Sequence, residues 1–167
     1  MLQMCWWPRN KETLLLWTIG FLKIPMIFYL RPQIIELNEK KIVVRIPLGR
    51  RAKNHLNAMY FGALSVGADC AIGYIAMQYI RKHKNEKINL IFKDFKAEFL
   101  KRAEGDVDFI CTAGDAIQAL MQKCSQTMER EELSVPAIAT VPSKNGDEAV
   151  AKFSLTLSVK RYPTEKM

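Results

Sequence analysis

Histidine is scarce in this chain, with only His55 and His83 among 167 residues. The four cysteines, Cys5, Cys70, Cys111 and Cys124, are scattered without a CxxC pair, and there is no HExxH. A zinc site therefore has almost no material, and no metal is expected. Two of the cysteines fall on apolar positions of predicted elements, which reads as reduced packing cysteine in a cytoplasmic protein. A Walker loop, a GxGxxG fingerprint and a GxSxG elbow are all missing, which removes the usual signs of nucleotide binding and of α/β-hydrolase chemistry. Carboxylates are the minority charge, 17 against 25 Lys and Arg, for a formal net charge of +8. That balance favours acidic partners such as phosphates, coenzyme A, an acidic carrier protein, nucleic acid or anionic lipid. Nucleic acid has only the net charge behind it, with no aromatic-basic motif, and is not expected as a partner.

What the chain does have is one long apolar stretch, residues 54–80. After a polar approach (Asn54, His55, Asn57) come residues that are almost all apolar or small, interrupted by a single charge, Asp69. A helix apolar on every side is buried in a core or lies in a membrane. Hydropathy alone lets this one span a bilayer, and Gly62, Gly67 and Gly73 are tolerated in such spans. The downstream pattern selects the core: from residue 88 onward the chain alternates in the manner of half-buried strands, which suits a sheet wrapped around a central helix. Hydrophobic residues at 49% and charged ones at 25% are ordinary globular composition, enough for one domain with a sizeable core.

In chain order, Arg9 and Lys11 precede an apolar run over residues 14–22, the outline of a signal peptide or anchor. Lys23 and Pro25 interrupt it and no small-x-small site follows, so a short helix over residues 11–23, a break at Pro25 and a second apolar turn to Leu30 are expected. Trp6, Trp7 and Trp17 are read as covering a core, with rest on a membrane surface as the alternative. Residues 33–37 and 41–47 form a hairpin turning at Asn38-Glu39. A basic loop, Gly49-Arg50-Arg51-Ala52-Lys53, leads to the central helix. Residues 88–100 read as a strand whose phase slips: Ile88, Leu90 and Phe92 share one parity and Phe95, Ala97 and Phe99 the other, which predicts a bulge near Lys93-Asp94. A strand follows over 107–113. A surface helix is expected over 116–129, capped by Asp115, with Ile117, Leu120, Met121, Cys124 and Met128 in one stripe. Strands over 133–141 and 149–160 complete the pattern, joined through residues 143–147, and the last has one wet face. The order predicts an α+β protein, a curled antiparallel sheet around one long buried helix. Residues 1–32 form an N-terminal helical extension and 33–162 the main domain.

Asn54, Asn57, Tyr60, Phe61, Gly62, Ala63 and Leu64, followed by Asp69, resemble a motif of the hotdog-fold acyl-CoA thioesterases, especially the phenylacetyl-CoA thioesterase-like branch. There the pattern is N-x-x-G-x-x-H-G-G-A-L, with an Asp seven residues after the second Gly, the interval between Gly62 and Asp69 here. Phe99-Leu100-Lys101-Arg102-Ala103-Glu104-Gly105-Asp106 is similar to the family's F-L-x-P-A-x-x-G-D, one residue shorter and with Arg102 at the proline. The likeness covers about residues 34–160, and the added N-terminal helices match a less characterised branch. Departures are specific: Tyr60 replaces the motif's His, Phe61 its first Gly and Asn57 its loop Gly. Residues 88–100 also lack the Ser or Thr that many Asp-dependent members carry.

The resemblance implies a homodimer, with a tetramer left open, whose sheets pair edge to edge. A site shared between protomers would hydrolyse a thioester of coenzyme A or of an acyl carrier protein, with no cofactor beyond coenzyme A as part of the substrate. Asp69 would be general base or nucleophile and Gly62 would allow close approach. Free N–H groups at the helix start would hold the developing oxyanion. Each candidate has a plainer reading. Asp69 as a buried carboxylate tied to a neighbour is set against Asp69 as a site carboxylate, and the second is preferred because a perturbed carboxylate in a cleft marks a site. His55 orients substrate or acts as an acid, or else caps the helix; Asn54 and Asn57 are oxyanion donors or simple caps. Tyr60 and Phe61 pack at the mouth and narrow it. Arg50, Arg51 and Lys53 meet coenzyme A phosphates or stay solvated. A non-catalytic acyl-binding protein and a small membrane-associated protein remain as alternatives.

Overall fold

The structure, a computed structural model, describes residues 10–163, so Cys5, Trp6 and Trp7 fall outside the described residues. Asn10 caps the first helix, α1 (Lys11–Lys23), accepting a hydrogen bond from Thr13 N at 2.8 Å. Its amide donates to Ile34 O at 2.7 Å, and Ile34 N donates to the buried Thr13 hydroxyl at 2.9 Å. The cap that starts the helix thus also ties it to the first strand. Pro25 sits in the first turn of α2 (Pro25–Leu30), where its missing N–H leaves nothing unsatisfied, and Arg31 closes that helix in the left-handed region. Trp17 is buried with its indole N–H donating to Pro32 O at 2.7 Å, the covering role expected for it.

Six strands form one antiparallel sheet: β1 (Gln33–Leu37), β2 (Ile42–Ile46), β3 (Lys87–Phe99), β4 (Val107–Cys111), β5 (Arg130–Thr140) and β6 (Ala149–Tyr162). Their spatial order is β1-β2-β4-β5-β6-β3, which leaves β1 and β3 at the two edges. The hairpin turn is held by Asn38, whose side-chain oxygen accepts from Lys40 N and Lys41 N. Helix α3 (Phe61–Lys82) carries the chain from β2 to β3 and packs on β2, β4, β5 and β6. Small residues bring it close: Ala68, Ala71 and Ala76 are fully buried, and the Phe109 ring leaves no room for a β-carbon at Gly67. By length and composition α3 is also a candidate membrane span, and 61% of its most apolar window is buried inside the domain. A curled antiparallel sheet around one long helix is the hotdog layout, and it follows from alternating strands that need a partner for their apolar face.

The expected bulge is present, as a register shift between Phe92 and Phe95 where β3 pairs with β6. The apolar residues beyond it are not enclosed, however: Phe95 is 42% and Phe99 51% exposed, along the outer edge of the sheet. Helix α4 (Gly114–Gln126) starts earlier than expected, with Ala113 at the N-cap, no side-chain cap and Asp115 within the first turn. Gly114 N donates to Lys40 O at 3.0 Å, so contact with the hairpin sets that start rather than Asp115. Met128, expected in the helical stripe, lies beyond the helix and is exposed. Strand β5 begins three residues before the expected 133, and the connection from β5 to β6 contains a short helix, α5 (Pro142–Asn145), that overlaps the expected joint over 143–147.

Candidate active site

Residues four apart on a helix share a face. Asp69, Gly73 and Met77 form such a row on α3, and all three line a cavity of ≈ 580 Å³. Ile88, Leu90 and Phe92 of β3 form a second wall, and Leu16 of α1, Ile24 between the two helices and Ile27 of α2 a third. Asp69 is half-buried, and among the described residues no hydrogen bond or ion pair reaches its carboxylate. Burial without a partner pushes its carboxyl up to about 6, because the charged form loses water and gains nothing in exchange. Gly73 keeps the space in front of it open: a β-carbon there would lie 3.4 Å from Asp69 Oδ1 and 3.4 Å from the Phe92 ring. Cys70 beside it is fully buried, and burial followed by the Asp69 charge pushes its thiol well up, away from the reactive thiolate.

The other sequence candidates cluster at the opposite end of the α3 approach. Asn54 turns the loop rather than capping the helix: its Oδ1 accepts from Leu56 N at 2.9 Å and Ala58 N at 3.2 Å. Asn57 has φ 61, a left-handed conformation that Asn tolerates better than most residues and Gly better still. That accounts for its standing where the resembled motif has Gly. The cap reading of both asparagines is therefore corrected, since Tyr60 is the N-cap residue and makes no side-chain capping bond. His55 is exposed in the same loop, also away from the cap. Tyr60 O accepts from Ala63 N and Leu64 N, while the first N–H groups of the helix have no intrahelical acceptor. The Tyr60 and Phe61 rings lie 4.7 Å apart, and the Tyr60 ring folds over Gly62, where a β-carbon would be 2.6 Å from its Cε1. Arg50, Arg51 and Lys53 are exposed; the Arg51 guanidinium stacks 5.4 Å from the Tyr29 ring and donates to Tyr29 O at 3.3 Å.

Within one chain the structure keeps these two groups apart. Phe61 and Asp69 stand eight positions apart on the helix, about 12 Å at 1.5 Å per residue, and no residue of the 50–62 group lines the Asp69 cavity. Sequence reasoning missed Gly73, Phe92 and the wall from α1 and α2. Gly73 carried a signal in its spacing of four from Asp69, whereas the wall is a tertiary contact with no local signature. Also missed was Arg45, paired across β2 and β4 with the buried Asp108 through bonds of 2.6 and 2.7 Å. Nearby, Asp106 of the Gly105-Asp106 turn accepts from Leu48 N at 2.8 Å. Among the described residues no group of three His, Cys, Asp or Glu is gathered as for a metal ion.

The chain is a hotdog-fold protein, as comparison with solved structures bears out. A Pseudomonas aeruginosa protein of unknown function superposes with TM-score 0.71 at 20% identity, over 93% of this chain and 98% of that one. A mutant thioesterase from Pseudomonas aeruginosa gives TM-score 0.66 at 12% identity, over 93% and 99%. A thioesterase from Haemophilus influenzae gives 0.58 at 15%, over 84% and 86%. By sequence the chain belongs to the DUF4442 family, a domain of unknown function, whose family model matches residues 13–159. No curated protein matches it.

Proposed function

We propose that this protein hydrolyses an acyl thioester, of coenzyme A or of an acyl carrier protein, to a free acid and a thiol. The observation that carries the reading is Asp69: one unpaired carboxylate with its carboxyl pushed up to about 6, on the wall of a cavity whose other lining residues are mostly apolar, Asn89 and Tyr74 being the exceptions. Such a group takes a proton well near neutral pH, and the apolar walls suit an acyl chain. The hotdog likeness to proteins described as thioesterases supports the same chemistry.

In this reading Asp69 removes a proton from water as the oxygen attacks the thioester carbonyl carbon. The tetrahedral intermediate then expels the sulfur, which takes the proton back from Asp69. Free N–H groups at the start of α3 stabilise the oxyanion. Since one chain keeps that helix start about 12 Å from Asp69, the site is assembled in a homodimer, the loop of one protomer facing Asp69 of its partner. Strand β3 supports this assembly as a 13-residue edge with Ile91, Phe95 and Phe99 exposed on it. Arg50 and Lys53 then meet the phosphates, Arg51 being turned towards Tyr29, and His55 and Asn57 position the thioester. The protein works in the cytoplasm, and coenzyme A enters only as part of the substrate.

A second reading, an acyl-thioester-binding protein without turnover, is favoured by one observation: the Tyr60 ring covers Gly62, where the oxyanion would sit. Thiol release from short, long and aromatic acyl-CoAs, native chain against Asp69→Asn, decides. Turnover that collapses in the variant supports hydrolysis. Binding of acyl-CoA without thiol release supports the second reading.

A further inference from the structure

The corner between α1 and α2 is apolar where a free surface is ordinarily polar. Phe21, Leu22, Lys23, Ile24, Pro25 and Met26 are six consecutive exposed residues, five of them apolar. Phe21 is 66%, Leu22 70% and Met26 58% exposed. The corner is held in shape: the Phe21 and Phe28 rings meet edge-on at 5.3 Å, and Gly20 lets the backbone of Phe28 approach where a β-carbon would lie 2.7 Å from its N. A contiguous apolar patch of this kind marks a contact with something else.

Charge indicates what that something is. From Thr13 to Ile35 the sequence has no Asp or Glu, while Lys23 stands at the tip of the corner. Arg51 lies against Tyr29, itself exposed, on the second helix. Apolar and aromatic side chains flanked by cations, on a segment that itself carries no carboxylate, suit the headgroup boundary of an anionic bilayer. A two-fold contact between copies through the same patch would instead gather the cations of both copies across it with no carboxylate of this segment to pair them.

We propose that the α1–α2 corner docks the protein on an anionic lipid bilayer. Phe21, Leu22 and Met26 enter the apolar boundary, and Lys23 and Arg51 face lipid phosphates. Ile24 and Ile27 of the same corner also line the Asp69 cavity, so a docked molecule opens that cavity towards the bilayer. The route for an acyl chain that this provides rests on the thioesterase reading; the docking itself does not.

The test is co-sedimentation of the full chain, without substrate, with vesicles of phosphatidylcholine alone and of equimolar phosphatidylcholine and phosphatidylglycerol. Binding is expected to the anionic vesicles only, and to weaken as salt is raised. The double variant Leu22→Glu, Met26→Glu should bind at least about tenfold more weakly, with an unchanged melting temperature because both side chains are exposed. Lys23→Gln, a milder change, should weaken binding about fivefold. Native protein left in the supernatant with anionic vesicles overturns the proposal, as does a double variant that binds like the native chain. Loss of a native dimer in the double variant, seen by light scattering, also overturns it, because the corner would then be a subunit contact. A thioesterase assay that fails leaves the vesicle result standing, and the converse holds.

Discussion

Gly73 follows Asp69 by one turn of α3, and the space above its α-carbon is the space the carboxylate faces: a β-carbon would lie 3.4 Å from Oδ1. Gly73→Ala should therefore separate stability from function. Replacing glycine inside a helix stabilises by about 1 kcal/mol, which for a domain of this size raises Tm by about 2–4 °C. The added methyl intrudes on the cavity beside the carboxylate, so kcat/KM for an acyl-CoA should fall about tenfold, the scale on which one methylene of pocket shape discriminates. Thermal melts and thiol release on the same preparation check both; unchanged turnover would mean that substrate does not pass Gly73.

The raised carboxyl of Asp69 makes a pH-dependent stability prediction whose sign is fixed. The native carboxyl holds its proton to about 6, while the unfolded one releases it near 3.8. Well below pH 3.8 both states are protonated and the group contributes nothing. As pH rises through the interval the unfolded chain ionises first, so the native state loses up to about 3 kcal/mol, a penalty that is complete about one pH unit above the native value. Asp69→Asn removes it. Urea unfolding of the two chains should show little difference near pH 4 and a more stable variant near pH 7. If Asp69 is the general base, hydrolysis by the native chain should rise with pH through the same midpoint.

Much of the fold was legible because its signals are local. The break at Pro25, the Asn38 turn and the β3 bulge each follow from a few adjacent residues, and the alternation of Phe153, Leu155, Leu157 and Val159 faces the core as read. The start of α4 was not legible, because it is fixed by Lys40 from a distant hairpin. Parity showed that Phe95 and Phe99 share a face. It did not show that this face would stay open, since cover at a sheet edge comes from outside the strand. For the site, Asp69 stood out as the one charge in an apolar helix. The cavity walls from α1 and α2 did not, because the contacts of Leu16 and Ile27 with that space are purely tertiary.

The N-terminal helices depend on a short polar network. The Tyr74 hydroxyl donates to Glu12 Oε2 at 2.6 Å, and Gln78 Nε2 donates to the same oxygen at 3.0 Å. Burial first, and the Glu12 carboxylate second, raise the Tyr74 pKa, so the phenol stays a donor throughout the working range. Tyr74→Phe should cost about 1.5–3 kcal/mol, the net loss of a hydrogen bond to a charged group. Because Leu16 of α1 walls the cavity, the variant should also lose preference among acyl chain lengths. Differential scanning calorimetry and the acyl-CoA panel read the two effects.

The Arg45–Asp108 pair joins β2 to β4, with Asp108 only 7% exposed and held by two bonds. Removing one partner of a buried pair strands the other charge. Arg45→Met should therefore destabilise by about 2–3 kcal/mol, discounted from the fully buried case because the arginine is partly solvated. Replacing both, Arg45→Met with Asp108→Leu, should recover most of that loss. Urea midpoints for the single and double variants measure it, and a double variant no better than the single would remove ion pairing as the role of these residues.

The ring of Tyr60 over Gly62 is the feature that sets this chain apart from the motif it resembles, and it gives the most direct test of how the helix start is used. Tyr60→Ala uncovers Gly62 at the helix start without touching the core, since Tyr60 is 48% exposed. If the N–H groups of that start hold the oxyanion, the variant should turn over acyl-CoA faster, with most of the change in kcat, because the oxyanion exists only beyond the ground state. A single oxyanion donor is worth about 10²–10³ in kcat elsewhere, so a gain of about tenfold from partial uncovering is expected. Tyr60→Ala combined with Asp69→Asn should return to the level of Asp69→Asn alone, because an uncovered oxyanion site has nothing to stabilise until water has been deprotonated. A fall in turnover on Tyr60→Ala would instead make the ring part of the substrate contact, holding the acyl group at the mouth.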